Sequence, residues 1–415
     1  MVDCANIQRL LRRFRRAQED TVLRASDGTA DYSEEQRALK QTVEHITAEC
    51  KKNQTRYTDD EFPDHSNEHP NILRKVSRWL RIEDVSPRAS DGRTKWKMFD
   101  DPKPSDVAQG GIGNCWLVGA ISIIADKPHL LRRIFVTQKY NKYGVYGVQL
   151  YIDGVWRYVI VDDRFPCNDY GELVFAWGRK MQLWVPLLEK AIAKLFGSYG
   201  ALDGGLITVG TKFLTGAPVT FFSCESYFSS EENRKAAFDA IRYALRDQCL
   251  VCTNSGKATD ELASVGIEHE HVYTILDTKV VADQRLLFLR NIWGTKAFTG
   301  RWGPDSDYWQ AVIDRDSLPE NLGSASKGMF WISLEDVAQY FSTLVICYAR
   351  ENYHQYHIKA KIQQSGDAVW ETFEVEVLEE TCLDINFGKF DGARAELKKA
   401  AQAEAPMLGP GLVLT

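Results

Sequence analysis

Residues 109–126 read QGGIGNCWLVGAISIIAD, and no other string narrows the fold as far. Gly110, Gly111, Gly113 and Asn114 lead directly into Cys115 and Trp116, after which an apolar run of helical character begins. Glycines permit tight turns and close backbone approach to a ligand. A cysteine in the first turn of a helix lies among unpaired backbone N–H groups that favour the thiolate. The string therefore builds a place for a reactive sulfur, with a buried structural cysteine as the plainer alternative. Gln109 lies six residues earlier, where a loop folding back brings its amide beside the sulfur to form an oxyanion hole with the Cys115 N–H.

The spacing predicts a helix from Cys115 with Leu117, Ala120, Ile121 and Ile124 as its buried stripe, stopping near Pro128. A hairpin is expected from residues 144–150 and 155–161 around Asp153-Gly154, and a long helix over 181–196 ending at Gly197. Glycines 204, 205, 210 and 216 mark a crossing with freedom for lobe movement. Beyond it come strands at 217–222, 250–253, 271–279, 286–291 and 343–350, with a helix at 233–247. The fold class is thus α+β, a helical lobe followed by an antiparallel one, with a cleft between them. His271 opens one strand and Asn291 closes the next, 20 residues on. An imidazole suits proton exchange with a thiol near neutral pH, and a carboxamide oxygen can hold its useful tautomer. Trp293 is placed to shield that bond. Two neighbouring patterns carry less. His269-Glu270-His271 lacks a third metal ligand beyond the candidates Glu268 and Asp260, and Cys249-Leu250-Val251-Cys252 lies within a buried strand without a companion pair.

The string QGxxGxCW at 109–116, HVYTILD from His271, LRNIWG around Asn291 and TGRW at 299–302 resemble the calpain family of papain-like cysteine proteases. LLEKAIAKLFGSYGALDGG at 187–205 and GMFWISLEDV at 328–337 belong to the same resemblance, which covers residues 57–350. It implies a papain-like two-lobed core and a thiol endopeptidase making limited cuts in intracellular proteins. Its catalytic residues are Cys115, His271 and Asn291, with Gln109 at the oxyanion. Asn114, Glu270 and Ile292 stand where the family has Asp, Gly and Pro. The chemistry requires no cofactor, but the family core binds one calcium ion in each lobe. Asp106 agrees with a family carboxylate, whereas Gln182 stands where a ligating Glu is expected. In the second lobe Ala297, Lys327 and Met329 replace acidic ligands, leaving Asp305 and Asp307. The calcium candidates are therefore Asp106, Asp305 and Asp307, and the pattern implies a lost or altered calcium requirement. An acyl transferase and a protein-binding scaffold with an idle triad are the alternatives, the first disfavoured by Asn rather than Asp as orienter.

The expected organisation of the 415 residues is a helical N-terminal extension (1–56), a Cys lobe (57–210), a His/Asn lobe (211–350) and a C-terminal extension (351–415). The first extension opens with an amphipathic basic helix at 6–20, a candidate regulatory contact, followed by a polar helix at 34–51. The last is read as a reduced or truncated β module, with strands at 355–363 and 368–377 and a helix at 392–404. No calmodulin-like calcium-hand loop follows the core. The net charge of −6 argues against a nucleic-acid partner, and no apolar run approaches the ~20 residues of a membrane span. Nine cysteines without a regular framework or preceding signal segment predict a reducing, cytoplasmic setting. Protein substrates are the expected partners.

Overall fold

The computed structural model describes residues 34–350 apart from 65–67, 89–90, 93–94, 153, 295 and 313–317. The expected helices at 6–20 and 392–404 and the expected strands at 355–363 and 368–377 lie outside the described residues. Helix α1 (Glu34–Lys52) looks polar in sequence, yet Leu39, Val43, Ile46 and Cys50 share one face. That face is buried against Tyr57, Val145 and Ile160, so the helix is seated on the first lobe. Burying a full aliphatic side chain contributes roughly 1.5–3 kcal/mol, which outweighs the weak tendency of its polar positions to form an isolated helix.

Helix α2 (Cys115–Ile124) buries every residue after Cys115, and α3 (Pro128–Ile134) restarts the chain with proline at its first position, where the missing N–H costs nothing. Strands β1 (Val145–Ile152) and β2 (Val155–Asp162) form the expected hairpin. Gly154 takes φ 79° at the reversal, a conformation that suits glycine. Helix α4 (Trp184–Phe196) ends at Gly197 in the left-handed region. It begins later than the apolar spacing suggests, because Lys180 and Met181 adopt positive φ in a preceding turn. Three ionisable residues of α4 point inward. Lys190 bonds Asp162 and Lys194 bonds Asp59, while Glu189 is taken up below.

The glycine-rich crossing differs from expectation. Residues Ile207–Thr215 form helix α5, packed on α2 so closely that a Cβ on Gly210 would lie 2.9 Å from that of Ala120. Its glycine serves close helix approach. Only Gly216 ends the helix in the left-handed region.

The second lobe is one antiparallel sheet. Its strands and longer helices in chain order are β3 (Val219–Ser223), α6 (Glu231–Arg246), β4 (Leu250–Ser255), β5 (Val272–Val281), β6 (Gln284–Asn291), β7 (Gly323–Ser324), β8 (Met329–Ser333), α7 (Leu334–Tyr340) and β9 (Phe341–Cys347). The strands lie in the order β7-β8-β6-β5-β4-β9-β3. β8 was not among the expected strands. Its run Phe330, Trp331, Ile332 is buried throughout, so it lacks the apolar-polar alternation that marks a half-exposed strand. Ser230 and Ser333 cap α6 and α7 through their hydroxyls. The lobes share apolar packing: Leu250, Cys252, Val272 and Val345 of the sheet join the core formed by α2, α4 and α5.

Candidate active site

Cys115 stands at the first position of α2, and the loop before it is pinned from the same lobe. Gly113 N donates to Asp203 Oδ1 at 2.9 Å, Gly204 N donates to Gly113 O at 2.9 Å, and Trp116 Nε1 donates to Leu202 O at 3.0 Å. A side chain on Gly205 would run into the Trp116 ring. Within the same loop Gln109 Nε2 donates to Ile112 O at 2.9 Å, and Gln109 Oε1 is buried without a partner. One amide hydrogen is thereby committed to the loop and the other is left over.

The opposite wall comes from β5 and β6. Their register pairs Asn291 with Tyr273, so His271, one residue before β5, lies beside the Asn291 side chain. His271 Nε2 and Asn291 Oδ1 are 2.9 Å apart, both residues being 1% exposed. Asn291 Oδ1 also accepts from Trp293 N at 2.9 Å, while its Nδ2 donates to Lys296 O at 3.4 Å. A backbone N–H can only donate and a carbonyl can only accept, which fixes the orientation of the carboxamide. The imidazole must then carry its proton on Nε2. Its Nδ1 keeps the lone pair and is buried without a hydrogen-bond partner. The Trp293 ring covers the imidazole at 3.9 Å between centroids, and Ser255 Oγ accepts from His271 N at 2.9 Å.

The two walls meet at the sulfur. Cys115 Sγ donates to the carbonyl of Glu270, the residue before His271, at 3.7 Å. Gly119 of α2 faces Val272 of β5, where an added Cβ would come within 3.1 Å. Arg290 of β6 reaches across to Asp126, just beyond the end of α2. Burial pushes the Cys115 thiol up, opposed by hydrogen bonds from the Trp116 and Cys115 N–H groups, while Glu270 and Asp203 add to the rise. Burial also lowers His271 to about 4, against the raising influence of Asn291. Burial thus works against the charged form of each group, and the thiol bonds the Glu270 carbonyl while His271 Nδ1 is left without a hydrogen-bond partner.

Beneath the nucleophile loop, Glu189 is 1% exposed. Its Oε1 accepts from Asn114 Nδ2 at 2.7 Å and its Oε2 from Ala176 N at 2.9 Å. Burial nevertheless raises its carboxyl to about 7, and Asn114 Oδ1 is buried without a partner. Sequence reasoning singled out neither Glu189 nor Asp203. Each is one acidic residue in a run whose partner is far away in the chain, so only the folded loop connects them to Cys115.

The calcium candidates fare differently. Asp106 is buried, its Oδ2 accepts from Gln182 Nε2 at 2.8 Å, and its Oδ1 lies 3.1 Å from the ammonium of Lys180. Gln182 Oε1 is occupied by Asp100 N and Trp184 Nε1. An amide donor and an ammonium already occupy the two oxygens of this carboxylate, an arrangement that does not fit a hard divalent ion needing several oxygen ligands. Asp305 and Asp307 are exposed before a short helix, Tyr308–Ala311. Among the described residues no three His, Cys, Asp or Glu side chains are grouped to hold a metal. His269 is exposed with its nearest carboxylate on Glu270 at 3.8 Å, and Cys249 and Cys252 are buried in the second lobe.

A helical lobe and an antiparallel lobe meeting at a helix-borne thiol give the architecture of a papain-like two-lobed cysteine protease core. The model of the calpain family cysteine protease matches residues 57–348, and the chain belongs to that family. It is 30% identical over 309 residues to the calpain-type cysteine protease ADL1 of Oryza sativa subsp. japonica, covering 71% of this chain and 14% of that protein. It is 34% identical over 261 residues to human calpain-12, covering 60% and 35% respectively. It is 28% identical over 347 residues to the human calpain-2 catalytic subunit, covering 78% and 47%. The chain thus spans less than half the length of these relatives. Among the described residues no helix is long and apolar enough to cross a membrane.

Proposed function

We propose that the chain is a cysteine endopeptidase that makes limited cuts in intracellular proteins through an acyl-enzyme. Cys115 Sγ attacks the scissile carbonyl as His271 Nδ1 takes the thiol proton. The oxyanion receives hydrogen bonds from the Cys115 N–H and the remaining hydrogen of Gln109 Nε2. His271 returns the proton to the departing amine, and water, activated by the same imidazole, releases the acyl group. Asn291 holds the tautomer throughout. The observation that carries this reading is the buried, unpartnered Nδ1 left by the clamp of Asn291 on Nε2.

The organisation proposed is a core of two lobes, 57–210 and 211–350, flanked by extensions at 1–56 and 351–415, the basic segment 6–20 serving as a regulatory contact. Closure of the core without calcium is supported by Lys180 on Asp106 and by the Arg290–Asp126 pair across the lobes. The test is turnover of an unstructured protein substrate by reduced enzyme in excess chelator and across a calcium titration, with Cys115→Ala as control. Comparable Cys115-dependent rates in both conditions are expected. Absence of both turnover and labelling by a peptidyl electrophile would favour a scaffold, and a steep rise with micromolar calcium would overturn calcium independence.

A further inference from the structure

Helix α2 begins without the side-chain cap that its sequence provides. Asparagine is among the preferred residues at an N-cap, where its side-chain oxygen accepts from the N–H two or three positions on. Asn114 holds that position, yet its side chain makes no capping bond, and its backbone, at φ −104° and ψ 32°, lies away from the extended conformation that caps adopt. The carboxamide is turned into the core instead, fully buried, with Nδ2 donating to Glu189 Oε1 at 2.7 Å and Oδ1 unpartnered. The Asn114 carbonyl serves Leu117 N and Val118 N, while the N–H groups of Cys115 and Trp116 are turned to the sulfur. Both oxygens of Glu189 are spent on the scaffold of this loop. The second accepts from Ala176 N, in the segment the loop leans on, where Gly111 N donates to Val174 O at 2.8 Å and Gly110 lies against the Phe175 backbone. The cations beside Glu189 on α4 are committed elsewhere, Lys190 to Asp162 and Lys194 to Asp59. A carboxyl buried without a cation is costly to the fold, and its two bonds both bear on the residue before the nucleophile and its support.

We propose that Glu189 is a positioning residue for the nucleophile: by anchoring the Asn114 carboxamide in the core, it keeps that side chain off the end of α2 and leaves the Trp116 N–H to the sulfur. The inference deepens the endopeptidase reading above and rests on it. Once released, the Asn114 side chain turns to cap the helix, its oxygen accepts from Trp116 N, and the thiolate loses one of its two backbone donors. A hydrogen bond to a charged group is strong enough that its loss lowers the thiolate fraction about tenfold at a fixed pH.

The experiment follows alkylation of Cys115 by iodoacetamide against pH in the reduced full chain, with the rate of Cys115→Ala subtracted. Glu270 and Asp203, whose charges act on the thiol, and His271 are retained in every variant. Glu189→Leu, which cannot hold the carboxamide, is expected to react about tenfold more slowly than the parent below the inflection, with the inflection moved to higher pH. Glu189→Gln can still bond Asn114 and should keep the inflection of the parent. Adding Asn114→Ala to Glu189→Leu removes the side chain that would cap, and should restore the rate to within about twofold of the parent, a recovery that simple damage to the loop would not give. If Glu189→Leu does not fold, the comparison is made at position 114 with Glu189 intact. Serine is a strong cap and ends one bond short of Glu189, whereas alanine cannot cap, so Asn114→Ser should react several-fold more slowly than Asn114→Ala. A profile of Glu189→Leu equal to that of the parent, a double variant no faster than Glu189→Leu, or equal rates for the serine and alanine variants overturns the inference. Turnover of an unstructured protein is measured alongside. The expected series of alkylation rates in a chain that cleaves nothing would refute the endopeptidase reading alone, and turnover with a flat series would refute only the role of Glu189.

Discussion

Replacing Glu189 with glutamine should change how stability depends on pH, by an amount that follows from its surroundings. Burial raises the carboxyl from its ordinary 4.5 to about 7 despite two donated hydrogen bonds. Below pH 4.5 the group is neutral whether the chain is folded or not, and its contribution to stability is fully present. As pH rises from 4.5 the unfolded chain releases the proton first, so stability is lost progressively through pH 7. The full effect is about 3 kcal/mol, of which roughly 2.5 kcal/mol falls between pH 5 and pH 8. Glu189→Gln stays neutral throughout, and its hydrogen bonds can be kept. If the Asn114 carboxamide turns over, the glutamine N–H donates to the Oδ1 that is otherwise unpartnered, and the glutamine oxygen accepts from Ala176 N. Urea unfolding in a Cys115→Ala background, which prevents self-cleavage, measures the effect. The stability of Glu189→Gln minus that of its parent should increase by roughly 2.5 kcal/mol from pH 5 to pH 8. A difference that stays constant, or moves the other way, would show that Glu189 is ionised at no cost in the folded protein and would refute the reasoning.

Other expectations follow from contacts around the cleft. Asn291→Ala removes the acceptor for both His271 Nε2 and Trp293 N in a buried setting, so kcat should fall about 10- to 100-fold with little change in KM, consistent with about 1–3 kcal/mol; steady-state kinetics checks it. Combining Lys180→Ala with Gln182→Glu replaces a cation and an amide beside Asp106 by a carboxylate; calcium should then raise the melting temperature of the variant by several degrees, against less than about one degree for the parent. Arg290→Ala breaks a partly exposed cross-lobe pair, costing no more than about 1 kcal/mol in urea unfolding but lowering kcat/KM by a larger factor than that loss alone would give.

The elements that sequence made legible were those with a strong local period or a punctuating residue. The helix beginning at Cys115, the hairpin around Gly154 and the helix ended by Gly197 all appear with small shifts of boundary. β8 was hidden because a strand buried on both faces carries no alternation. α5 was hidden because Gly210 reads as a break until the surface it packs on is known. At the site, spacing along two consecutive strands was enough to bring His271 and Asn291 together, and the structure gives their hydrogen bond. It did not find Asp203, Glu189, Lys180 or the Arg290–Asp126 pair. Each of these depends on a partner between 13 and 164 residues distant, as with Ala176 for Glu189 and Asp126 for Arg290, and no local pattern encodes such a separation.

The absence of a side chain at Gly119 sets the gauge of the whole machine. α2 delivers the sulfur from one lobe and β5 follows directly from the imidazole of the other, and they touch where Gly119 meets Val272. A helix interior normally favours alanine over glycine by about 1 kcal/mol, so a single added methyl should tighten the helix while acting as a shim at the joint. With its Cβ 3.1 Å from Val272, that methyl requires the neighbouring strand to give by a few tenths of an ångström, a displacement that proton transfer between sulfur and nitrogen registers more sensitively than folding does. Gly119 is accordingly a position at which stability and reactivity are mechanically opposed, and at which the spacing of the reacting atoms can be adjusted without replacing any of them.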